Sequence, residues 1–585
     1  MTEVEARVLA ERLITARRLR ELTQEELARR SGVPQPQISR LERGQTAEPS
    51  LFAVARIAEA LELDLRLLVD PDGNRFLHAL LGEEKPPALA GGEEMRGTLK
   101  PRTLLPARTL DGAQGRAISI GTLDDADASE LRMPLAVIED HLLISGRAEG
   151  EYAALLSRII AGLGCEPGGL LFLDTHGTLA ERTLDDLLAA VTADRAKDVL
   201  YVDFSDASQK IGVNPLDFPN EHVAPAIART VADIVIRDEL VAPRARQCMV
   251  QALTAFCEAN LQLARLGSEQ RLTLFDLPGF FADVELRRLI VEHSRRALGV
   301  LHFFDPETGI FELASDKEKQ TAFVAPIITA LERFAQAQPA AFALGRPRNH
   351  LGRKLAEGRI VVAKLARRPH EARGGEDLAA MITATLPHHL VGALEGRRAS
   401  QPVRLALTHG EAVFAYETAL AVLEQSLEPK IQVLCATERL PRSRRIAERL
   451  LTATGSKLVF STHPKDAASL AVAIAPDGRL RHPEDLVLQG KDSFYGQLNA
   501  RDEAGRLIAS GPFHATATVS PRPEPVAPTS ISRIDAFEAA KNELACEAPM
   551  ASPSGGAEME RRRESIVAML ARTLAAILEA EWAED

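Results

Sequence analysis

The sequence predicts an all-helical module followed by a large α/β domain with a mainly parallel sheet and a helical insertion. Three observations carry this. Residues 1–70 repeat apolar positions at helical spacing, as in Leu13, Ile14, Leu19, Leu22 and Leu27, then Ile38, Leu41, Leu51, Val54, Ile57 and Leu61. Short apolar runs between 141 and 462 alternate with amphipathic stretches, which is the pattern of a parallel sheet covered on both faces. Between the two lies 71–116, rich in Pro, Gly and charge, as a linker is.

Taken in order, the α/β domain runs over 117–520. Its buried strands are HLLISG (141–146), GLLFLD (169–174), DVLYVD (198–203), RIVVAKL (359–365), VRLALT (403–408), IQVLCAT (431–437) and KLVFST (457–462). Residues 219–350 read as a mostly helical insertion on that sheet, and 476–520 as a small β-rich end. A second linker is expected over 521–557, with a helical island near Ile534–Leu544. It leads to an amphipathic helix at 558–582, with Ile566, Met569, Leu570, Leu574, Ile577, Leu578 and Trp582 on one face.

Composition removes several classes. With 585 residues, 45% of them hydrophobic and 26% charged, the chain can bury large cores and is not a disordered polymer. Aromatic residues make up 4%, too few for a surface that stacks on single strands. The net charge of −12 confines DNA binding to one module. Five Cys without a CxxC pair fit reduced thiols in a cytoplasm. The charged N-terminus does not read as a signal peptide, and no run reaches the ~20 apolar residues of a membrane span, so no membrane insertion is expected.

The densest local signal is TQEELARRSGVPQPQISRLERG. Thr23 and Glu26 have the spacing of a capping box. A helix over Gln24–Arg30 meets Ser31-Gly32, where glycine makes the left-handed turn. A second helix follows, from Pro34 or Gln35 to Arg43, and Gly44 stops it; Ala28, Val33, Ile38 and Leu41 lock the pair. This is a helix–turn–helix, whose second helix fits the major groove. Residues 12–70 resemble the Cro/repressor (XRE) family, with ISRLERG at 38–44 intact. The resemblance implies that Gln24 braces Gln35 and touches a phosphate. Gln35 and Arg40 then reach base edges, Gln37 and Arg43 lie nearer the backbone, and Pro36 replaces a polar contact with an apolar one. Arg17, Arg18, Arg29 and Arg30 become candidate phosphate partners; residues 1–44 hold nine Arg against seven Glu. Such domains bind paired half-sites as dimers.

After the strand HLLISG, a phosphate loop G-x-x-x-x-G-K-[ST] is sought and not found. Counted from Gly146, through Arg147 and Gly150, Glu151 stands at the second Gly, Tyr152 at the Lys and Ala153 at the hydroxyl position. Further on come Asp174-Thr175-His176-Gly177, Asp203-Phe204-Ser205-Asp206 and Asn214-Pro215-Leu216. EGRIVVAKLA (357–366), VRLALTHGEAVFAYETALAVLEQS (403–426), IQVLCATERL (431–440) and GSKLVFSTHPKDAASLA (455–471) follow. In order and spacing, 117–520 resembles the RecA-like, P-loop-type core of HerA-like and type IV secretion coupling (TraG/TraD-like) ATPases.

The departures are chemical. The acidic pair of the family's Walker B strand is replaced by His409 and Gly410, with Glu411 one place late, and the sensor Gln by Glu438. Glu149 and Glu151 repel a triphosphate. Gly146, Arg147, Gly150, Tyr152, Asp174, His409 and Glu411 thus form a degenerate nucleotide site, and the chain is expected to be a pseudo-ATPase and no enzyme, with neither cofactor nor metal. Asp174 and His176 read first as fold determinants at a strand end. His409 and His463 lack a third metal ligand, His388-His389 reads as a helix surface, and Arg442, Arg444 and Arg445 as a solvated charged face.

The expected function is a cytoplasmic, sequence-specific DNA-binding transcriptional regulator, whose second domain oligomerises or binds a partner. Its partners are a double-stranded DNA operator, a second copy of the chain in at least a dimer, and an active motor homologue. The alternative is an ATP-driven DNA translocase, or a conjugation or secretion coupling motor with a DNA-targeting head.

Overall fold

The structure is a computed structural model. It describes residues 13, 14, 17, 22–42, 57 and 60, then 110–544 except 111–112, 114, 125–128, 147–150, 207, 210, 218–222, 237–240, 269–270, 295–297, 338–350, 367–371, 394–400, 425–430, 491, 503 and 518–530, and finally 564–572 and 575. The first linker, apart from Leu110, Ala113, Gly115 and Arg116, and parts of the second lie outside these residues. The chain divides into two compact units, Met1–Thr98 and Leu99–Asp585.

In the first unit, α1 (Gln24–Ser31) and α2 (Gln35–Glu42) form the helix–turn–helix. The Thr23 hydroxyl accepts from Glu26 N and the Glu26 carboxylate from Thr23 N, a complete capping box. Gly32 ends α1 at φ 65°, where a Cβ is disfavoured, and its N–H donates to the Ala28 carbonyl. Leu27, Val33, Ile38 and Leu41 are buried between the helices, while Ala28 is only half-buried.

The second unit is built on an eleven-stranded sheet. Its strands are β1 (Ala117–Leu123), β2 (Glu130–Pro134), β3 (Leu142–Ser145), β4 (Gly169–Asp174), β5 (Val199–Asp203), β6 (Ile360–Lys364), β7 (Val403–Leu407), β8 (Ile431–Thr437), β9 (Ser456–Val459), β10 (Ser493–Gln497) and β13 (Phe513–Thr516). β11 (Asn499–Arg501) and β12 (Leu507–Ala509) form a separate hairpin. The order is β2-β1-β13-β10-β9-β3-β8-β7-β4-β6-β5. From β9 to β5 every pairing is parallel. From β9 to β2 every pairing is antiparallel. The β-rich end is therefore no separate subdomain: it joins β1 and β2 to extend the main sheet.

β3, β4 and β8 are buried at every position, as central parallel strands covered on both faces are. One face is covered by α3 (Glu151–Gly164) and α4 (Ala180–Ala190), the other by the helices of the insertion with α6 (Leu351–Ala356) and α7 (Ala372–Ala393). Much of the aromatic content gathers in the insertion. Phe280 packs edge-to-face on Phe256 of α5 (Pro243–Arg265) at 5.5 Å and on Phe304 at 5.0 Å, and Phe311 on Phe323 at 5.7 Å. The helical island of the second linker is α8 (Arg533–Leu544), which packs on β5. Within the last expected helix, Ile566, Met569 and Leu570 are buried against the insertion's core. No helix among the described residues is long and apolar enough to cross a membrane.

Candidate functional site

The DNA-facing candidates stand on a single hydrogen-bonded network. Glu42, buried at the end of α2, receives both arms of Arg17: Nε to Oε1 at 2.7 Å and Nη2 to Oε2 at 3.0 Å. Gln24 Nε2 donates to the same Oε2 at 2.7 Å, and Gln35 Nε2 donates to Gln24 Oε1 at 2.8 Å. Gln35 is thereby held at the start of α2 by a chain that ends on a buried carboxylate. A bidentate Arg–carboxylate pair is a rigid anchor for it. The bond from Gln35 to Gln24 is the one the resemblance implies. Arg17, expected at the phosphates, gives its guanidinium to Glu42 and to the Leu22 carbonyl at 2.8 Å, and the pair holds it above its ordinary pKa. Pro36 and Arg40 are exposed, and Gln35 and Gln37 half-buried; Arg40 Nε donates to the Pro36 carbonyl at 3.3 Å. Arg18 and Arg43 lie outside the described residues. Sequence reasoning assigned no role to Glu42. Its signal was a charge on the buried face of α2, four residues after Ile38.

The second candidate site is the crevice at the C-terminal ends of β3, β4, β7 and β8, where open α/β sheets bind ligands. Asp174 is fully buried at the end of β4. Its Oδ1 accepts from Gly177 N at 3.1 Å, and its Oδ2 from Leu179 N at 2.6 Å and Ala180 N at 2.7 Å. It therefore shapes the loop that starts α4. Beside it, the rings of His176 and His409 stack with centroids 3.3 Å apart and 17° between planes. His176 Nε2 lies 3.1 Å from Glu376 Oε1 of α7. His409 Nδ1 lies 2.9 Å from the Thr175 hydroxyl, and its Nε2 3.7 Å from Glu438 Oε1. His409 has φ 51°, a left-handed conformation that a non-glycine residue adopts only where its surroundings impose it.

Glu411 follows at the start of a short helix, Gly410–Val413, and Glu438 N donates to its Oε2 at 3.3 Å. Burial pushes the Glu411 carboxyl up to about 8, and the nearby charges of Glu438 and Glu376 add to the rise. Gly410 allows this approach: a Cβ there would stand 2.2 Å from Cys435 Sγ. Below, the Ser145 and Thr437 hydroxyls, on paired positions of β3 and β8, are buried without hydrogen-bond partners.

Of the expected nucleotide-site residues, Asp174, His409 and Glu411 come together. Gly146 closes β3 where a Cβ would stand 2.5 Å from Phe460 Cβ. Tyr152 turns into the core, edge-to-face on Phe460 at 5.6 Å, and burial raises its phenol well above its usual value. Arg147 and Gly150 lie outside the described residues. His463 is the N-cap of the following helix, with Nδ1 accepting from Lys465 N at 3.2 Å. His389 is no bare helix surface; its Nε2 lies 2.6 Å from the Asp217 carbonyl. Arg444 and Arg445 are largely exposed and pair with Glu448 and Glu417. No group of three metal-ligating side chains occurs among the described residues. Glu376 was missed, since nothing in a run of helical residues two hundred positions downstream marks it as a partner of His176.

The fold and the capped helix pair define an XRE-type helix–turn–helix joined to a RecA-like, P-loop-type α/β domain. Residues 13–68 match the family described as Helix-turn-helix. No curated protein matches the chain. Among solved structures, the plasmid coupling protein TrwB in complex with the non-hydrolysable GTP analogue GDPNP is 11% identical, with a TM-score of 0.44 over 74% of this chain and 99% of that one. TrwB in complex with ADP and Mg2+ is 13% identical, with a TM-score of 0.42 over 75% and 98%. VirB4 of Thermoanaerobacter pseudethanolicus is 13% identical, with a TM-score of 0.42 over 70% and 98%. These neighbours, two of them nucleotide complexes, overturn the expectation that the chain is no enzyme, and that expectation is withdrawn.

Proposed function

We propose that this chain is a cytoplasmic, sequence-specific DNA-binding regulator. Its head reads a double-stranded operator through α2, with Gln35, Pro36 and Arg40 toward the bases and Gln37, Arg43 and Arg18 toward the backbone phosphates. Its α/β domain joins copies of the chain, or a motor homologue, so that several heads engage DNA together. The observation that carries this is the chain Arg17–Glu42–Gln24–Gln35, which holds Gln35 at the N-terminal end of α2. The test is a randomised-site selection with the full chain and its Arg40→Ala variant. A loss of ~1–3 kcal/mol with relaxed preference at one position supports the assignment. Unchanged selectivity refutes it.

A second reading is nucleoside-triphosphate-driven movement of the DNA that the head selects. One observation favours it: Glu411 places a carboxyl in the crevice just past β7. Turnover measured with Mg2+ and DNA then rises with pH as Glu411 ionises near 8, and Glu411→Gln abolishes it. Turnover that is absent, or indifferent to Glu411, removes this reading.

A further inference from the structure

The main sheet ends on β5, and its outer edge is closed twice. Odd-numbered residues of β5 direct their peptide groups outward, since Asp198 and Phe204 bond inward to Ile360 and Lys364 of β6. On the outer side, Asp203 N donates to Gln209 Oε1 at 2.7 Å, and Gln209 Nε2 donates to the Tyr201 carbonyl at 2.8 Å. A buried side-chain amide thus stands where the peptide of a further strand would stand. The same Nε2 reaches the Phe537 carbonyl of α8 at 3.1 Å. α8 then crosses the edge: Ala536 packs in the layer of α3 and α4, Ala540 and Leu544 in the opposite layer.

How α8 is held decides what it does. Its buried apolar footprint is two alanines and a leucine, with Phe537 half-buried beside Tyr201 at 6.4 Å between ring centroids. Small side chains bring little apolar area. Its ion pairs are more numerous. Arg533 grips Asp185 with two nitrogens and reaches Glu181 at 3.2 Å. Glu543 pairs with Lys354 and Arg359, both at 3.0 Å. Several of these groups are open to solvent, Arg533 at 42%, so dissolved salt screens them. The residues beneath are an apolar strand, Val-Leu-Tyr-Val-Asp, whose outer peptide groups at Tyr201 and Asp203 are covered only by the Gln209 side chain once α8 leaves, and a pairing strand takes its place.

We propose that α8 is a salt-sensitive guard on the β5 edge, whose release opens β5 to pairing with β5 of a second copy of this chain. The two-fold geometry fits. Antiparallel pairing centred on Tyr201 sets Asp203 opposite Val199, so no like charges face each other. This goes beyond the DNA-binding reading and does not depend on it, because its test follows β5 and α8 alone.

The experiment is hydrogen exchange and sedimentation of the full chain as salt rises from about 50 mM to about 500 mM. The expected result is roughly 10-fold faster exchange across α8 and at Tyr201 and Asp203, with the sheet centre unchanged, and added association that reverses on return to low salt. Arg533→Glu is expected to produce the same state at low salt, and the swapped pair Arg533→Glu with Asp185→Arg to restore the guard. Val199→Pro removes an outward N–H at the first residue of β5 and is expected to block the association while leaving the exchange of α8 as it was. Exchange that ignores salt and charge reversal overturns the proposal. So does release of α8 without association, or association that survives Val199→Pro.

Discussion

Replacing Glu411 by Gln keeps the shape of a side chain in the crevice and removes its titration. In the folded chain the carboxyl ionises near 8, against 4.5 for an ordinary glutamate. The direction sets the sign. A carboxyl raised on folding leaves stability intact below its unfolded value and costs stability as pH rises through its folded value. The full shift corresponds to a ceiling of about 5 kcal/mol, at 1.36 kcal/mol per unit. Integrated between pH 5 and pH 8, the wild-type chain loses on the order of 3–4 kcal/mol that E411Q does not lose. Urea unfolding of both proteins, followed by far-ultraviolet circular dichroism at several pH values, reads this as a difference. Every other group titrates in both chains and cancels. The difference is expected to be small near pH 5 and to grow steadily in favour of E411Q toward pH 8. Parallel curves would mean that Glu411 is solvated and ionised at neutral pH, and the account of a protonated carboxyl in the crevice would then fail.

Glu42→Gln leaves the Arg17 guanidinium without its charge partner and is expected to destabilise the head by about 3 kcal/mol, with selectivity at the base read by Gln35 relaxed in a site selection. Gly410→Ala drives a Cβ into Cys435 Sγ and is expected to cost about 1–3 kcal/mol in thermal or urea unfolding; adding Cys435→Ala removes the sulfur and restores most of it. His514 is buried on β13 beside Asp124, and burial lowers its pKa below 6.5. Its contribution is present above the unfolded value and lost as pH falls, so His514→Gln is expected to flatten the acid side of the stability profile, measured by unfolding between pH 7 and pH 5.

What could be read from the sequence divides by contact range. The head was legible because its determinants are local: a capping box spans three residues, a left-handed glycine follows, and apolar spacing fixes the buried face. The parallel strands were legible because central strands are apolar at every position, as β4 and β8 are. The joining of β1, β2, β10 and β13 to that sheet was not, since antiparallel pairing between residues 117 and 516 leaves no mark in either segment. The crevice was legible only as missing groups. Its actual wiring, His176 to Glu376 and Thr175 to His409, joins residues two hundred or more positions apart. α8 was seen as a helical island in a linker, and its role at the β5 edge rests on Gln209, whose spacing from Phe537 no periodicity encodes.

Asp174 shows how a motif residue can be committed to the fold itself. Its position after β4, before His176 and Gly177, is where a ligand-binding acid is sought in an open α/β sheet. Its oxygens are already committed: one to Gly177 N, the other to Leu179 N and Ala180 N, in a site closed to solvent. Removing an acceptor that satisfies three N–H groups, two of them buried, costs more than a typical surface acid, because each buried orphaned donor carries its own desolvation penalty of about 1–3 kcal/mol. The residue is therefore held in place by the turn into α4, whatever the crevice binds. His176 and His409 accept no such backbone N–H groups; their rings stack at 3.3 Å between Glu376 and Glu438. Asp174→Ala is accordingly expected to unfold the α4 entry, seen as lost protection from hydrogen exchange at Leu179 and Ala180. His409→Asn, a residue at ease in the left-handed region, is expected to leave that turn intact and to break only the stack. Loss of protection in the His409 variant, with Asp174→Ala retaining it, would show that the stack, and not the carboxylate, holds the loop.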